Sequence, residues 1–234
     1  MVENSAQSPT VQLSRVLVTG GSGFVGANLV TTLLDRGYHV RSFDRAPSPL
    51  PAQPGLEVLQ GDICDRDIVA GAADGIDTVF HTAALIELMG GASVTEEYRQ
   101  RSFAVNVEGT KNLVHAAQRA GVKRFVYTSS NSVVMGGKTI SGGDETLPYT
   151  DRFNDLYTET KVAAERFVLS QNGIDGLLTC AIRPSGIWGR VSSSRSLARC
   201  FHVRLAARFI TNRTASGGSE LSSVSSKSCS KAVS

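Results

Sequence analysis

Three glycines, at positions 20, 23 and 26, constrain this chain more than any other feature. They stand in Thr19-Gly-Gly-Ser-Gly-Phe-Val-Gly26, directly after a short apolar run rich in β-branched residues (Arg15–Thr19) and directly before a helical pattern. A strand that turns through spaced glycines into a helix is the context of a dinucleotide-binding fingerprint. Gly20 permits the tight turn, Gly23 lets backbone approach a pyrophosphate, and Gly26 lets the helix pack close to the sheet. The helix opens with Phe24 and Val25, which are expected to bind the cofactor with the glycines, and its N-terminus offers N–H groups and partial positive charge to phosphate.

The rest of the chain to residue 190 fits that start. Val25, Leu29 and Leu33 recur at helical spacing, and Gly37 stops the pattern after Arg36. Strands are expected over His39–Asp44, Leu56–Gln60, Asp77–Thr82, Arg124–Thr128 and Leu177–Ile182. Between the second and third strands, the four prolines of Ala46–Gly55 exclude helix and central strand. Helices are expected over Asp65–Ala73, Thr95–Ala120 and Asp155–Asn172. Strands alternating with helices imply an α/β, doubly wound parallel sheet of Rossmann type.

Two further motifs carry chemistry. Asp44 ends the second strand, 18 residues after Gly26. A carboxylate there can accept from both adenosine ribose hydroxyls and repels a 2′-phosphate, so it favours NAD. The adjacent Arg45 is the rival contact, since a guanidinium could bind that phosphate. Tyr157 and Lys161 form a YxxxK whose side chains share one helical face. A phenol with a pKa near ~10 is a poor base at neutral pH, and nearby positive charge would stabilise its phenolate. The Thr128-Ser129-Ser130 triplet ends the fifth strand, where a hydroxyl would enter the same cleft.

These pieces resemble the extended short-chain dehydrogenase/reductases and, within them, the 3β-hydroxysteroid dehydrogenase family, with the finest likeness to its actinobacterial cholesterol dehydrogenases. The likeness runs over residues 15–189. It is carried by VLVTGGSGFVGANLV, GDI at 61–63, FHTAA at 80–84, NVEGTKNLVHAA, FVYTSSNSVV, LPYTDRFNDLYTETKVAAER and LTCAIRPSGIWG. The resemblance implies that Tyr157 is the general acid/base, and that Lys161 holds the nicotinamide ribose and lowers the Tyr157 pKa. On the same resemblance Ser130, rather than Ser129, would hydrogen-bond the reacting oxygen. It implies adenine contacts from Asp62 and Ile63, a dinucleotide path along His81, Ala83 and Ala84, Asn106 near the nicotinamide half, and Pro184 near the carboxamide. The expected activity is NAD-dependent oxidation of a 3β-hydroxysteroid. The rivals are a nucleotide-sugar epimerase or dehydratase of the same superfamily, and a non-catalytic NAD-binding remnant. A homodimer through the helices carrying Asn106 and Tyr157 is a further implication.

Other features receive plainer readings. His81, in an apolar setting, reads first as a packed or hydrogen-bonded histidine rather than a metal ligand, and His39 and His115 have no partner at ligand spacing. The four cysteines show neither CxxC nor clustering with histidine, so neither a zinc site nor a disulfide framework is expected. No run of ~18 apolar residues is present, and the N-terminus lacks the apolar core of a secretory signal, so a cytoplasmic location is expected. The Glu96-Glu97…Arg99…Arg101 cluster reads as a solvated helix face with local ion pairs, and Met89-Gly-Gly91 and Met135-Gly-Gly137 as loops.

Charge divides the chain. Residues 191–234 hold seven Lys/Arg, one acid (Glu220) and 13 serines, whereas residues 1–190 hold 17 basic and 20 acidic residues. The division gives a flexible 1–14, a cofactor domain over 15–190 and an atypical basic tail. The tail's charge permits weak electrostatic binding of nucleic acid or acidic lipid, but no specific nucleic-acid partner is expected. The abrupt shift after Gly189 points instead to a frameshift with loss of the C-terminal substrate region. Within the tail, residues 196–210 could form a short basic amphipathic helix, and the Ser-rich end is expected to be disordered.

Overall fold

In the computed structural model of the chain, the described residues are 15–86, 94–136, 140–187 and 209–210. Six strands, β1 (Arg15–Thr19), β2 (His39–Asp44), β3 (Leu56–Gln60), β4 (Thr78–His81), β5 (Arg124–Thr128) and β6 (Leu178–Ile182), form a parallel sheet in the order β3-β2-β1-β4-β5-β6. A two-residue β7 (Phe209–Ile210) adds antiparallel to β6. This strand lies in the stretch expected to be helical, and the remainder of residues 188–234 is outside the described residues.

The pleat explains the two cores. Val16, Leu17 and Val18 are all fully buried, as a central parallel strand covered on both faces requires. Leu17 packs with Phe43, Val79, Phe125 and Tyr127 against the helices α2 (Arg66–Ala73), α4 (Thr110–Arg119) and α6 (Leu156–Ser170). Val16 and Val18 point to the opposite face, where Val30 and Leu33 of α1 (Phe24–Asp35) cover them. The phase of α1 differs from expectation: Gly26, Ala27, Val30 and Leu33 are its buried residues, while Val25 and Leu29 are half-buried. That rotation brings Val25 to the cleft.

The long helix expected over 95–120 is present but not uniform. α3 (Glu96–Phe103) passes through a π-helical turn, Ala104–Gly109, into α4. Asn106 sits within that turn. A four-residue α5 (Ser132–Met135) follows the Ser129-Ser130 segment, so Met135 ends a helix rather than lying in a loop. The connection from β1 crosses to β2 on one side, while β4 pairs with β1 on the other. This reversal opens a crevice at the carboxyl ends of the strands, the place where such sheets bind ligands.

Candidate active site

A cleft of about 610 Å³ occupies that crevice. Of the residues singled out above, Gly20, Gly23, Phe24, Val25, Gly26, Asp44, Arg45, Asp62, Ile63, Ala83, Ala84, Ser130, Tyr157, Lys161 and Pro184 line it. Segments as distant in sequence as the glycine turn and the YxxxK helix therefore meet at one surface.

The turn is built for a close visitor. Gly20 has φ +71, and a Cβ there would lie 2.6 Å from the Ala83 nitrogen. A Cβ at Gly23 would stand 3.2 Å from the Gly20 carbonyl oxygen. Gly23 also has no side chain to cap α1, so the helix opens toward the cleft with its first-turn N–H groups available to an anion. Asp44 is anchored: Oδ2 accepts from the Ser22 N–H at 3.0 Å and Oδ1 from the Ala46 N–H at 2.9 Å. Each carboxylate oxygen accepts more than one hydrogen bond, so acceptor capacity remains for ribose hydroxyls. Turn, helix end and carboxylate together fit a dinucleotide.

At the other end the two serines that line the cleft differ in their surroundings. Ser129 is buried and donates to Glu165, whereas Ser130 is half-buried on the cleft wall. Lys161 Nζ donates to the Thr128 carbonyl at 2.7 Å and to the Tyr127 hydroxyl at 3.2 Å, and lies 5.7 Å from the centre of the Tyr157 ring. Burial lowers the Lys161 pKa to about 7, with the Glu165 charge opposing it. Burial, followed by the Asp155 carboxylate, raises Tyr157 to about 12. The expectation that Lys161 lowers the Tyr157 pKa is not what this arrangement does. A lysine spent on a carbonyl and another phenol, and itself desolvated, does not offset the burial of Tyr157.

Two expected contacts stand behind the wall rather than on it. Asn106 is 2% exposed. Its amide accepts from the Leu85 N–H at 2.7 Å and donates to the Leu85 carbonyl at 2.9 Å and to Thr160 Oγ1 at 3.0 Å. It supports the cleft floor from below. His81 is also buried, with Nδ1 at 2.7 Å from Thr19 Oγ1 and Nε2 at 2.9 Å from Thr110 Oγ1. The Thr110 hydroxyl already donates to the Asn106 carbonyl, so it accepts from His81 Nε2–H, and Nδ1 accepts from Thr19. His81 thus pegs β1 and α4 to β4.

Burial, with the Lys161 charge second, lowers His81 to about 3 from its ordinary 6.5. Between those values only the unfolded chain binds the proton, so stability falls as pH drops, by about 1.4 kcal/mol per unit from this group. Urea unfolding at pH 6.5 and 4.5 should show a loss about 2 kcal/mol larger in the wild type than in His81→Gln. Equal losses would remove His81 from the acid response.

Sequence reasoning missed several cleft residues, among them Thr19, Leu85, Arg101 and Val105. Arg101 is exposed, as a solvated helix face requires, and also lines the cleft one helical turn before Val105; that i,i+4 spacing is the available signal. Arg99 does form an ion pair, but with Glu159 of α6 at 3.0 Å rather than with a neighbour on its own helix. Met89-Gly-Gly91 lies outside the described residues. Among the described residues no group of three or more His, Cys, Asp or Glu side chains is placed to hold a metal.

Comparison with known proteins gives a consistent picture. The family model described as the 3-beta hydroxysteroid dehydrogenase/isomerase family matches residues 17–218, continuing beyond Gly189, where the motif likeness ends. The 3 beta-hydroxysteroid dehydrogenase/Delta 5-->4-isomerase of Mycobacterium tuberculosis is 83% identical over 182 residues, 78% of this chain and 49% of that protein. The 3-beta-hydroxysteroid dehydrogenase of Mycolicibacterium neoaurum is 76% identical over 184 residues, 78% of this chain and 50% of that protein. The chain spans about half the length of the curated relatives it matches. Among solved structures, a short-chain dehydrogenase/reductase superfamily protein from Agrobacterium tumefaciens with bound NAD matches with TM-score 0.63 and 34% identity, over 72% of this chain and 48% of that one. The Thermus thermophilus UDP-glucose 4-epimerase complex with NAD matches with TM-score 0.60 and 30% identity, over 72% and 54%.

Proposed function

We propose that this chain, which belongs to the 3-beta hydroxysteroid dehydrogenase/isomerase family, carries the cofactor half and the acid/base residues of an NAD-dependent 3β-hydroxysteroid dehydrogenase. One observation supports the reading above the others: Tyr157, Lys161 and Ser130 line the same cleft as the glycine turn and Asp44. A nicotinamide dinucleotide bound there would supply the hydride acceptor for the carbon 3 hydrogen of the steroid. Gly20, Gly23 and the α1 N-terminus hold its pyrophosphate, Asp44 its adenosine ribose, and Asp62 and Ile63 its adenine. Ala83 and Ala84 flank the dinucleotide path, and Pro184 stands at the carboxamide end.

Ser130 donates to the reacting oxygen, and Tyr157 takes the hydroxyl proton as the carbonyl forms. Tyr157 rests protonated, because burial and Asp155 disfavour the phenolate. The side chain is therefore ready as an acid for ketone reduction, whereas alcohol oxidation requires its ionisation. Lys161 binds the adjacent ribose while held on the Thr128 carbonyl. His81 and Asn106, behind the wall, act through Thr19 and Leu85.

The dimer belongs to the same reading. It would run through the helical segments carrying Asn106 and Tyr157, to be tested by sedimentation. No helix among the described residues is long and apolar enough to cross a membrane, and a cytoplasmic location is proposed with the rest.

The test is a calorimetric titration with NAD and NADP, followed by 3β-hydroxysteroid-dependent NADH formation. Asp44→Ala should weaken NAD binding about tenfold or more and narrow the discrimination against NADP. Tighter NADP binding by the unmutated chain would transfer the ribose role to Arg45. The likeness to the Thermus epimerase supports a second reading, a nucleotide-sugar enzyme. Binding of a UDP-sugar but no sterol would select it. NAD binding with no turnover on either substrate class would select the non-catalytic remnant.

A further inference from the structure

The stripe of site residues on α6 does not stop at Lys161. Tyr157, Lys161 and Glu165 stand at i, i+4 and i+8, on one face. Glu165 is 0% exposed, and a buried carboxylate persists only where its lone pairs are taken up. Its partners come from three separate segments. Oε1 accepts from Arg183 Nε at 2.9 Å and Nη2 at 2.7 Å, just past β6, and from the Tyr149 hydroxyl at 3.0 Å. Oε2 accepts from the Ser129 hydroxyl, just past β5.

Ser129 lies between two residues the site uses. Before it is Thr128, whose carbonyl takes Lys161 Nζ. After it is Ser130, on the cleft wall. The segments past β5 and β6 are also stitched to each other: the Ser129 N–H donates to the Ile182 carbonyl at 2.8 Å and the Asn131 N–H to the Pro184 carbonyl at 2.9 Å. We infer that Glu165 is a positioning residue of the cleft, its carboxylate locking the segments past β5 and β6 so that one buried side chain fixes both Lys161 and the Ser130 hydroxyl. The inference deepens the dehydrogenase reading and rests on it.

A purely structural anchor would not need this charge, because apolar residues of similar volume fill such sites as stably. The titratable groups facing Lys161 are Tyr127 on β5, His81 on β4, and Tyr157 and Glu165 on α6; those facing Glu165 are Tyr149, Arg183, Tyr127 and Lys161. Burial keeps the tyrosines protonated and His81 neutral. Glu165 is then the anion that opposes the desolvation of Lys161.

Glu165→Gln keeps the shape and removes the charge. The Lys161 titration is followed by side-chain NMR of lysine-labelled protein, and NADH affinity by fluorescence, both against pH. The Lys161 midpoint should fall by about one pH unit or more in Glu165→Gln, and the pH at which NADH affinity is halved should fall with it. A merely structural role would lower thermal stability and leave the Lys161 midpoint in place, and that result overturns the inference. Where Arg183 left unpaired prevents folding, Glu165→Gln is combined with Arg183→Met and compared with Arg183→Met alone: the double variant should show the lower Lys161 midpoint, and equal midpoints overturn the inference. If the wild type binds no NADH at any pH, the dinucleotide reading fails, while the Lys161 midpoint still decides the role of Glu165.

Discussion

Tyr157→Phe is expected to cut 3β-hydroxysteroid oxidation by about 10²–10⁴-fold while leaving NADH affinity nearly unchanged. The ring remains to pack, and only the proton-transferring oxygen is lost. The loss should appear in kcat more than in KM, since the proton moves in the transition state rather than on binding. pH offers an independent check. The phenol sits at about 12 in the structure because burial and Asp155 oppose its ionisation, so the oxidative rate of the wild type should climb with pH until the phenolate forms. The residual rate of Tyr157→Phe should lose that dependence. A loss below about tenfold would remove Tyr157 from the proton-transfer step.

What made Tyr157 legible also shows where sequence reading stops. β1, β2, β3 and β5 begin and end at the expected residues, because short runs of apolar and β-branched residues interrupted by glycine or polar segments mark both strand and limits. The YxxxK pair was legible since one helical face at i,i+4 is set by geometry alone. Glu165 extends the same face by one turn, but an acid on a helix reads by default as solvated, and its partners Tyr149, Ser129 and Arg183 come from loops whose convergence no spacing encodes. The π-helical turn at Ala104–Gly109 escaped for a related reason. Over six residues the apolar pattern of an i+5 turn hardly departs from that of an α-helix. Asn106, within that turn, faces the backbone of the cleft-lining Leu85. His81 was legible as a hydrogen-bonded core histidine, and its placement behind the cleft wall follows from Thr19 and Thr110 taking both ring nitrogens.

The same turn that revealed the site carries the largest expected loss of stability. Gly26→Ala should lower it by about 3 kcal/mol, at the upper end of the range for overpacking, or about 6–12 °C in Tm for a domain of this size. A Cβ at Gly26 would lie 2.0 Å from the Gly20 carbonyl oxygen, 2.6 Å from the Gly20 carbonyl carbon and 2.8 Å from the Gly21 Cα. All three are backbone atoms, so no side chain can swing aside. The turn cannot retreat either. The Gly20 N–H donates to the Phe43 carbonyl at 2.9 Å, and behind Gly20 the Ala83 nitrogen already lies 2.6 Å from where a Cβ would stand. The clash must push α1 outward, which strips Val30 and Leu33 from Val16 and Val18 and moves the helix N-terminus off the phosphate position. Dinucleotide affinity should therefore fall with stability. Gly37→Ala is the control. Gly37 has φ +82 with nothing within 4 Å of an added Cβ, so it carries the backbone strain of a left-handed residue, about 1–2 kcal/mol, without a clash. Chemical unfolding of both variants separates the two costs. A Gly26→Ala protein no less stable than Gly37→Ala, and still binding dinucleotide, would show that helix and turn are not in close contact.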